Sequence, residues 1–523
     1  MMTSPHATPQ VDVVVAGGGH NGLIAAAYAA QAGLSVVLIE ARDSVGGCAS
    51  TVTDLNARFN ICNCDHTMVR ALPVMEELDL ARHGLRYIEN EVSSIHLAHG
   101  DTTAWPFFHD TERHLDALAR IHPQWVQQYR TYLADALPVA RLAIAMARTN
   151  PGTAAMLRRV AHMRGRGARR LLAWSRSSAL DVLSSYFDDW RMWMPAISNG
   201  PTVWGVRPDT PGTGLAAALY ATKHLIRTGR PVGGSGALTD AVAAVVAAHG
   251  GTIITNRRVD RLLTGSDAVT GVRLDDGTSI SARAVIAACD PQRVYCEWLD
   301  GHFGRDASRE IDEWVAMPVH DGYESKIDAV IRGLPTYRHM ESLRSVIGDV
   351  DLLSPTTVIH PNPEELALAH DLRASGGVAT RPTMLLNVPS VADPTMQVDS
   401  NEHVLSLEVL FTPYTHNWAH TTEPQRWLGL LDGLCEPDTL IIDRWRAMTP
   451  DRYEREFLMH RGHTPAYAGS PLATLMGRPR TTTRHRAAIN GLYLGGAAAY
   501  PGAGVFGGAG RNAAHAAIND LSR

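Results

Sequence analysis

The chain has 523 residues, of which 45% are apolar and 19% charged, and carries a net charge of −5 at neutral pH. That length exceeds one simple core and implies two or three compact units, while the mild acidity excludes the basic footprint of a nucleic-acid-binding protein. Its apolar runs fall short of the ~20 residues a membrane-spanning helix needs. Residues 1–10 lack a secretory signal, and six cysteines favour a reducing compartment over a disulfide scaffold, so the expected location is cytoplasmic.

Val11 to Ala16 is a β-branched run suited to a strand buried on both faces. Gly17, Gly19 and Gly22 follow with G-x-G-x-x-G spacing, enclosing Gly18, His20 and Asn21. The first glycine permits the turn, the second admits a pyrophosphate to the backbone, and the third lets helix and strand close up. A helix is expected from about Asn21 to Ala32, with its positive end toward the phosphates. Gly33 ends it, and Leu34 to Ile39 forms a second strand. Glu40 stands 18 residues beyond Gly22, where a carboxylate accepts from ribose hydroxyls and repels a 2′-phosphate. Ala41, Arg42 and the doublet Gly46–Gly47 continue the motif.

Residues 58–67, RFNICNCDHT, come next. In an extended conformation Cys62, Cys64 and His66 share a face, but no fourth ligand is evident and the spacing is unlike zinc sites, so no metal is expected. His66 or Asp65 reaching a substrate cavity as a base is the alternative, against a hydrogen-bonded structural histidine. From Ala136 to Leu180 there are nine arginines and no acid, including Arg158, Arg159, Arg164, Arg166, Arg169 and Arg170. Apolar residues interleave with them. A basic amphipathic surface docked peripherally on a membrane is one reading, and a solvated basic face is the other. A second glycine-punctuated unit runs from Gly229 through a helix (Leu238 to His249), a strand (Thr252 to Thr255) and a β-meander containing Val259 that turns at Asp275–Gly277. A third comprises a strand entering Gly495–Gly496, a loop with Gly504 and Val505, and a final helix from Arg511 to Leu521. The expected division is 1–99, 226–299 and 456–523 for one unit, with 100–225 and 300–455 forming a second, substrate-binding unit.

The continuation of the fingerprint into Gly46–Gly47, the PVGGSGALTDAVAAVVAAHGGTIITNRRV segment and the terminal GLYLGGAAAYPGAGVFGGAGRNAA together resemble the phytoene desaturase and carotenoid isomerase family of FAD-dependent oxidoreductases. The resemblance covers the glycine-rich segments, not the regions between them. It implies an α/β fold, with a Rossmann-like FAD-binding domain (parallel sheet plus β-meander) and a discontinuous α+β substrate domain. It implies FAD, with Gly46 and Gly47 beside the pyrophosphate and ribityl chain, Val259 meeting the adenine through its backbone, and Gly495, Gly496, Gly504 and Val505 near the ribityl chain and flavin edge. Cys48 departs from the family, where many members carry arginine; it is either a small buried residue or a thiol close enough to affect FAD. Tyr500 is expected to stack beside the flavin, donate toward it, or simply pack.

The function so implied is removal of hydride from a C–H bond of a hydrophobic or natural-product substrate, giving a double bond. Such chemistry forces no particular catalytic residue. Redox-neutral isomerisation is a second reading. A third is a non-catalytic lipid carrier on the same fold, as in Rab escort and GDP-dissociation-inhibitor proteins, with the intact phosphate loop and Glu40 against it.

Overall fold

Val11–Ala16 nucleates the first half of the molecule because Val13, Val14, Val15 and Ala16 are wholly buried between two layers of helices. The structure, a computed structural model, describes residues 10–523 except 63, 199–204, 266, 302, 318–321, 323, 464–466, 468–469 and 503. Val36–Ile39 and Thr252–Ile254 lie parallel on one side of the Val11–Ala16 strand, and Ser279–Ala287 on the other. Leu492–Leu494 adds in parallel to Ser279–Ala287, whose first residues pair antiparallel with the meander Val259–Thr264 and Val269–Leu274. The expected parallel sheet with its meander is therefore present, turning at Gly277 (φ +85°) as Asp-Asp-Gly suggests.

One face of this sheet is covered by three alanine-rich helices, His20–Gln31, Gly236–Ala248 and Gly508–Leu521. Small residues let two of them approach to backbone contact. A Cβ on Gly22 would overlap the Gly17 carbonyl oxygen, and one on Gly510 would overlap the carbonyl of Asn21. The opposite face packs on residues 294–298 and the helix Arg305–Val315.

The second unit is a seven-stranded sheet in the order Ile442–Met448, Glu324–Arg332, Glu402–Leu410, Met384–Asn387, Thr356–His360, Val92–Ala98 and Trp105–Phe108. All neighbours are antiparallel except Thr356–His360 with Val92–Ala98. Two edges of the expected division fall elsewhere. Residues 92–98 belong to the second sheet although they precede 100, and the 305–315 helix packs on the first sheet although it follows 300. A helical block between residues 111 and 222 covers the far end, with a core dense in aromatics (Trp125, Tyr129, Tyr132, Phe187, Trp193 and Tyr220). Among the described residues, no helix is long and apolar enough to cross a membrane.

Candidate active site

At the carboxyl edge of the first sheet the chain builds a cradle of backbone. Gly17 takes φ +102°, a conformation glycine adopts without penalty. Glu40, at the end of the second strand, accepts from the Gly18 N–H at 2.7 Å and the Arg42 N–H at 2.9 Å. Its carboxylate thereby ties the glycine turn to residues 40–42. The Gly46 N–H donates to Gly18 O at 2.8 Å, so the doublet lies directly against the turn. Backbone bonds from Asn256 and Arg257 to Arg42 and Glu40 carry the chain past this point to Val259. Ala41 is half-buried, and the Arg42 guanidinium sits 4.1 Å over the Phe457 ring.

The last segment closes the cradle. His20 Nε2 lies 3.1 Å from Gly504 O, and the Val69 N–H donates to Val505 O. A Cβ on Gly496 would overlap the Cys289 carbonyl oxygen, and one on Gly495 would crowd Ile286 and Ala513. Two helices, His20–Gln31 and Gly508–Leu521, begin here, so two positive helix ends share one region. Among the described residues, Asn21 Oδ1 is buried with no hydrogen-bond partner, and none stands within 4 Å of a Cβ built on Gly504. An open, donor-rich cradle of this kind fits a dinucleotide pyrophosphate.

The 58–67 segment departs from expectation. Its strand ends at Asn60, so Cys62, Cys64 and His66 do not share a strand face. Among the described residues, no group of three His, Cys, Asp or Glu is placed to hold an ion. His66, expected to reach the substrate as a base, instead commits both nitrogens: Nδ1 to Tyr87 OH at 3.0 Å and Nε2 to Ser235 Oγ at 3.2 Å. Burial, aided by nearby His20, pushes its pKa down to about 3. Those partners lie 21 and 169 residues away, which sequence reading has no means to foresee. Tyr500 is buried edge-on to Tyr467, with ring centroids 5.6 Å apart. Cys48 Sγ meets Met459 Sδ at 3.3 Å and neighbours Cys62, whose thiol is held well above its ordinary range by that contact and by burial.

Sequence reading missed the polar face of the second sheet, which Lys326 ties to Asn60. Glu324, Lys326 and Asp328 alternate onto one face, and Glu408 lies across from Lys326. Lys326 donates to Asn60 O and, at 2.6 Å, to Asp328, which also pairs with Arg446 at 2.9 Å. Burial works against the Lys326 charge, but Asp328 and Glu408 outweigh it and hold the pKa up. Burial raises Glu324 to about 7 and drives Glu408, next to Glu324, well above the carboxylate range. Nearby, Arg230 anchors Asp65 at 2.7 Å and bonds Ser354 O and Thr356 Oγ1. The signal available was the alternation in ESKID, which reads equally well as a strand with one face in water.

The chain aligns with curated relatives over nearly its whole length. It is 28% identical to the rat pyridine nucleotide-disulfide oxidoreductase domain-containing protein 2, covering 98% of this chain and 94% of that one. It is 23% identical to a lycopene-forming phytoene desaturase of a Paracoccus species, covering 99% of both. The fold matches that of putrescine oxidase bound to putrescine, with a TM-score of 0.63 at 19% identity, over 99% of this chain and all of the other. The motif-based likeness to phytoene desaturases thus extends through the intervening regions. Residues 22–323 match the family model of flavin-containing amine oxidoreductases, more than half of the sequence, and the protein accordingly belongs to that family as an FAD-dependent oxidoreductase.

Proposed function

We propose that this enzyme takes a hydride from a C–H bond of a hydrophobic or natural-product substrate and leaves a new double bond, with oxygen, a quinone or another acceptor receiving the electrons. The observation that carries this reading is the link between the two sheets: Lys326 Nζ on the second sheet's polar face donates to Asn60 O, and Asn60 Oδ1 accepts from the Ser235 N–H at the head of the Gly236–Ala248 helix. That polar face serves, in this reading, as the floor of the substrate site. Bound FAD supplies the two-electron acceptor. Gly17, Gly18, Gly19, His20, Asn21 and Gly22 hold its pyrophosphate, Glu40 with Ala41 and Arg42 its ribose, and Val259 its adenine. Gly46, Gly47, Cys48, Gly495, Gly496, Gly504 and Val505 line the rest. The Lys326–Asp328–Arg446 array fixes charge at the floor, His66 braces the 66–71 segment, and Tyr500 closes one side by packing.

A surface reading accompanies this one. The helices Thr153–His162 and Ala168–Trp174 pack against Pro471–Met476 and together expose Leu157, Leu172, Leu472 and Met476 among the exposed arginines Arg158, Arg159, Arg169 and Arg170, the last paired with Asp135. That combination of exposed apolar side chains and positive charge supports peripheral contact with an anionic membrane, from which a hydrophobic substrate would be drawn.

The test is anaerobic mixing of the holoenzyme with candidate substrates, followed by mass analysis. Bleaching of the yellow absorbance and a product lighter by two hydrogens is expected. A product of unchanged mass would replace this reading with isomerisation. Readmission of air then ranks the acceptor: colour returning within seconds marks oxygen as competent, and colour returning over minutes marks a separate acceptor.

A further inference from the structure

A line of buried polar groups crosses the second sheet outside every role assigned above. Lys223, just past the helix Ala217–Thr222, donates from Nζ to Ser94 Oγ at 3.2 Å. Ser94 Oγ lies 3.0 Å from His96 Nε2, His96 Nδ1 lies 3.0 Å from His360 Nε2, and His360 Nδ1 lies 3.0 Å from Ser198 Oγ. The four residues beyond Lys223 are at most 2% exposed. Trp105 lies over both imidazoles, tilted by 30° and 23°, and fixes their planes. Three elements converge to make the line: the Val92–Ala98 strand supplies Ser94 and His96, its parallel neighbour supplies His360, and the last turn of Trp190–Ser198 supplies Ser198.

Charge sets the order of donors. An ammonium only donates, so Ser94 Oγ accepts from Lys223. A neutral imidazole has one N–H and one bare nitrogen, so each ring passes on the sense it receives. When the Ser94 O–H donates a hydrogen bond to His96 Nε2, both rings carry hydrogen on Nδ1 and Ser198 Oγ accepts. The opposite order points an N–H dipole at the Lys223 cation and crowds two donors onto Ser94, which a low-dielectric interior penalises. Burial keeps both rings neutral, with His360 pushed down to about 3 and His96 held well below its ordinary range.

We propose that Lys223, Ser94, His96, His360 and Ser198 form a one-way proton relay, conducting a proton from Lys223 to an acceptor that meets the Ser198 hydroxyl. In one passage a Lys223 proton bonds to Ser94 Oγ as the Ser94 proton moves to His96 Nε2. The His96 Nδ1 proton moves to His360 Nε2, and the His360 Nδ1 proton moves to Ser198 Oγ. The original Ser198 proton leaves to a basic oxygen or nitrogen of water or substrate. Each N–H or O–H bond broken is matched by one formed, and no electrons are exchanged. The relay does not depend on which substrate the enzyme takes.

The experiment is nitrogen-15 histidine NMR on the FAD-loaded full chain, with the two rings assigned through His96→Gln and His360→Gln. Both rings are expected in the Nδ1–H form near neutral pH, and their two protons to exchange with deuterated water at one shared rate. Ser94→Ala cuts the link to Lys223 and is expected to slow that shared exchange about tenfold or more, while backbone amides of the 92–98 strand exchange as before. Ser94→Thr restores it. Lys223→Met repeats the test by removing the donor, should Ser94→Ala fold poorly. An Nε2–H form on either ring, or ring exchange indifferent to both variants, overturns the relay.

Discussion

Glu40 and Arg230 show how single side chains hold this site together. Glu40 accepts two backbone N–H bonds that join the glycine turn to the second strand. Charge-assisted bonds of this kind contribute about 1.5–3 kcal/mol each, so Glu40→Gln is expected to weaken FAD binding by about 10–100-fold. The measurement is flavin fluorescence titration of the refilled apoprotein; unchanged affinity would remove Glu40 from the cradle. Arg230 is buried against Asp65 at 2.7 Å. Arg230→Met removes the buried ion pair while Thr356 Oγ1 still donates to Asp65, for an expected loss of about 3 kcal/mol in denaturant unfolding. A loss under about 1 kcal/mol would mean that water reaches Asp65 and screens it.

Helices and strands were unequally legible, and the reason is which side of each element is wet. The Val11–Ala16 strand and its glycine turn were readable because a fully apolar run followed by G-x-G-x-x-G has few other solutions. The Glu324–Arg332 strand was not, because Lys326 and Asp328 lie on a buried face and pair there; alternation then mimics an ordinary half-exposed strand. The partners of His66 were equally hidden, since Ser235 reaches it only through the completed fold. Gly510→Ala drives a methyl into the Asn21 carbonyl and is expected to lower stability by about 1–3 kcal/mol and shed flavin, read by thermal melting of the yellow protein. Replacing Arg158, Arg159 and Arg169 by glutamate is expected to abolish co-sedimentation with vesicles rich in phosphatidylglycerol while leaving the flavin spectrum unchanged. Equal binding to neutral vesicles by both forms would dismiss the arginines as a docking device.

For the molecule as a whole, buried histidines set the response to acid. His66, His339, His360, His370 and His485 are buried, and burial pushes their values down to about 3 or 4. The unfolded chain binds protons at these rings below about pH 6.5 and the native state does not, so stability falls as pH falls between about 6.5 and those native values. Each ring removes about 1 kcal/mol by pH 5.5, and the melting temperature is expected to drop steeply between pH 6.5 and 5.5; a flat profile would mean that the rings gain water or partners as they charge. The order in which the first sheet is assembled has a consequence in time. Its central strand is made at residues 11–16, yet Leu492–Leu494 and the helix Gly508–Leu521, which meets Asn21 through Gly510, come almost last. At about 5–20 residues per second of synthesis, the glycine turn waits about 25–100 s for the backbone that closes it. Through that interval the nascent chain presents an unfinished nucleotide cleft and an uncovered apolar helix face, so the cleft is completed only once the last helix is made.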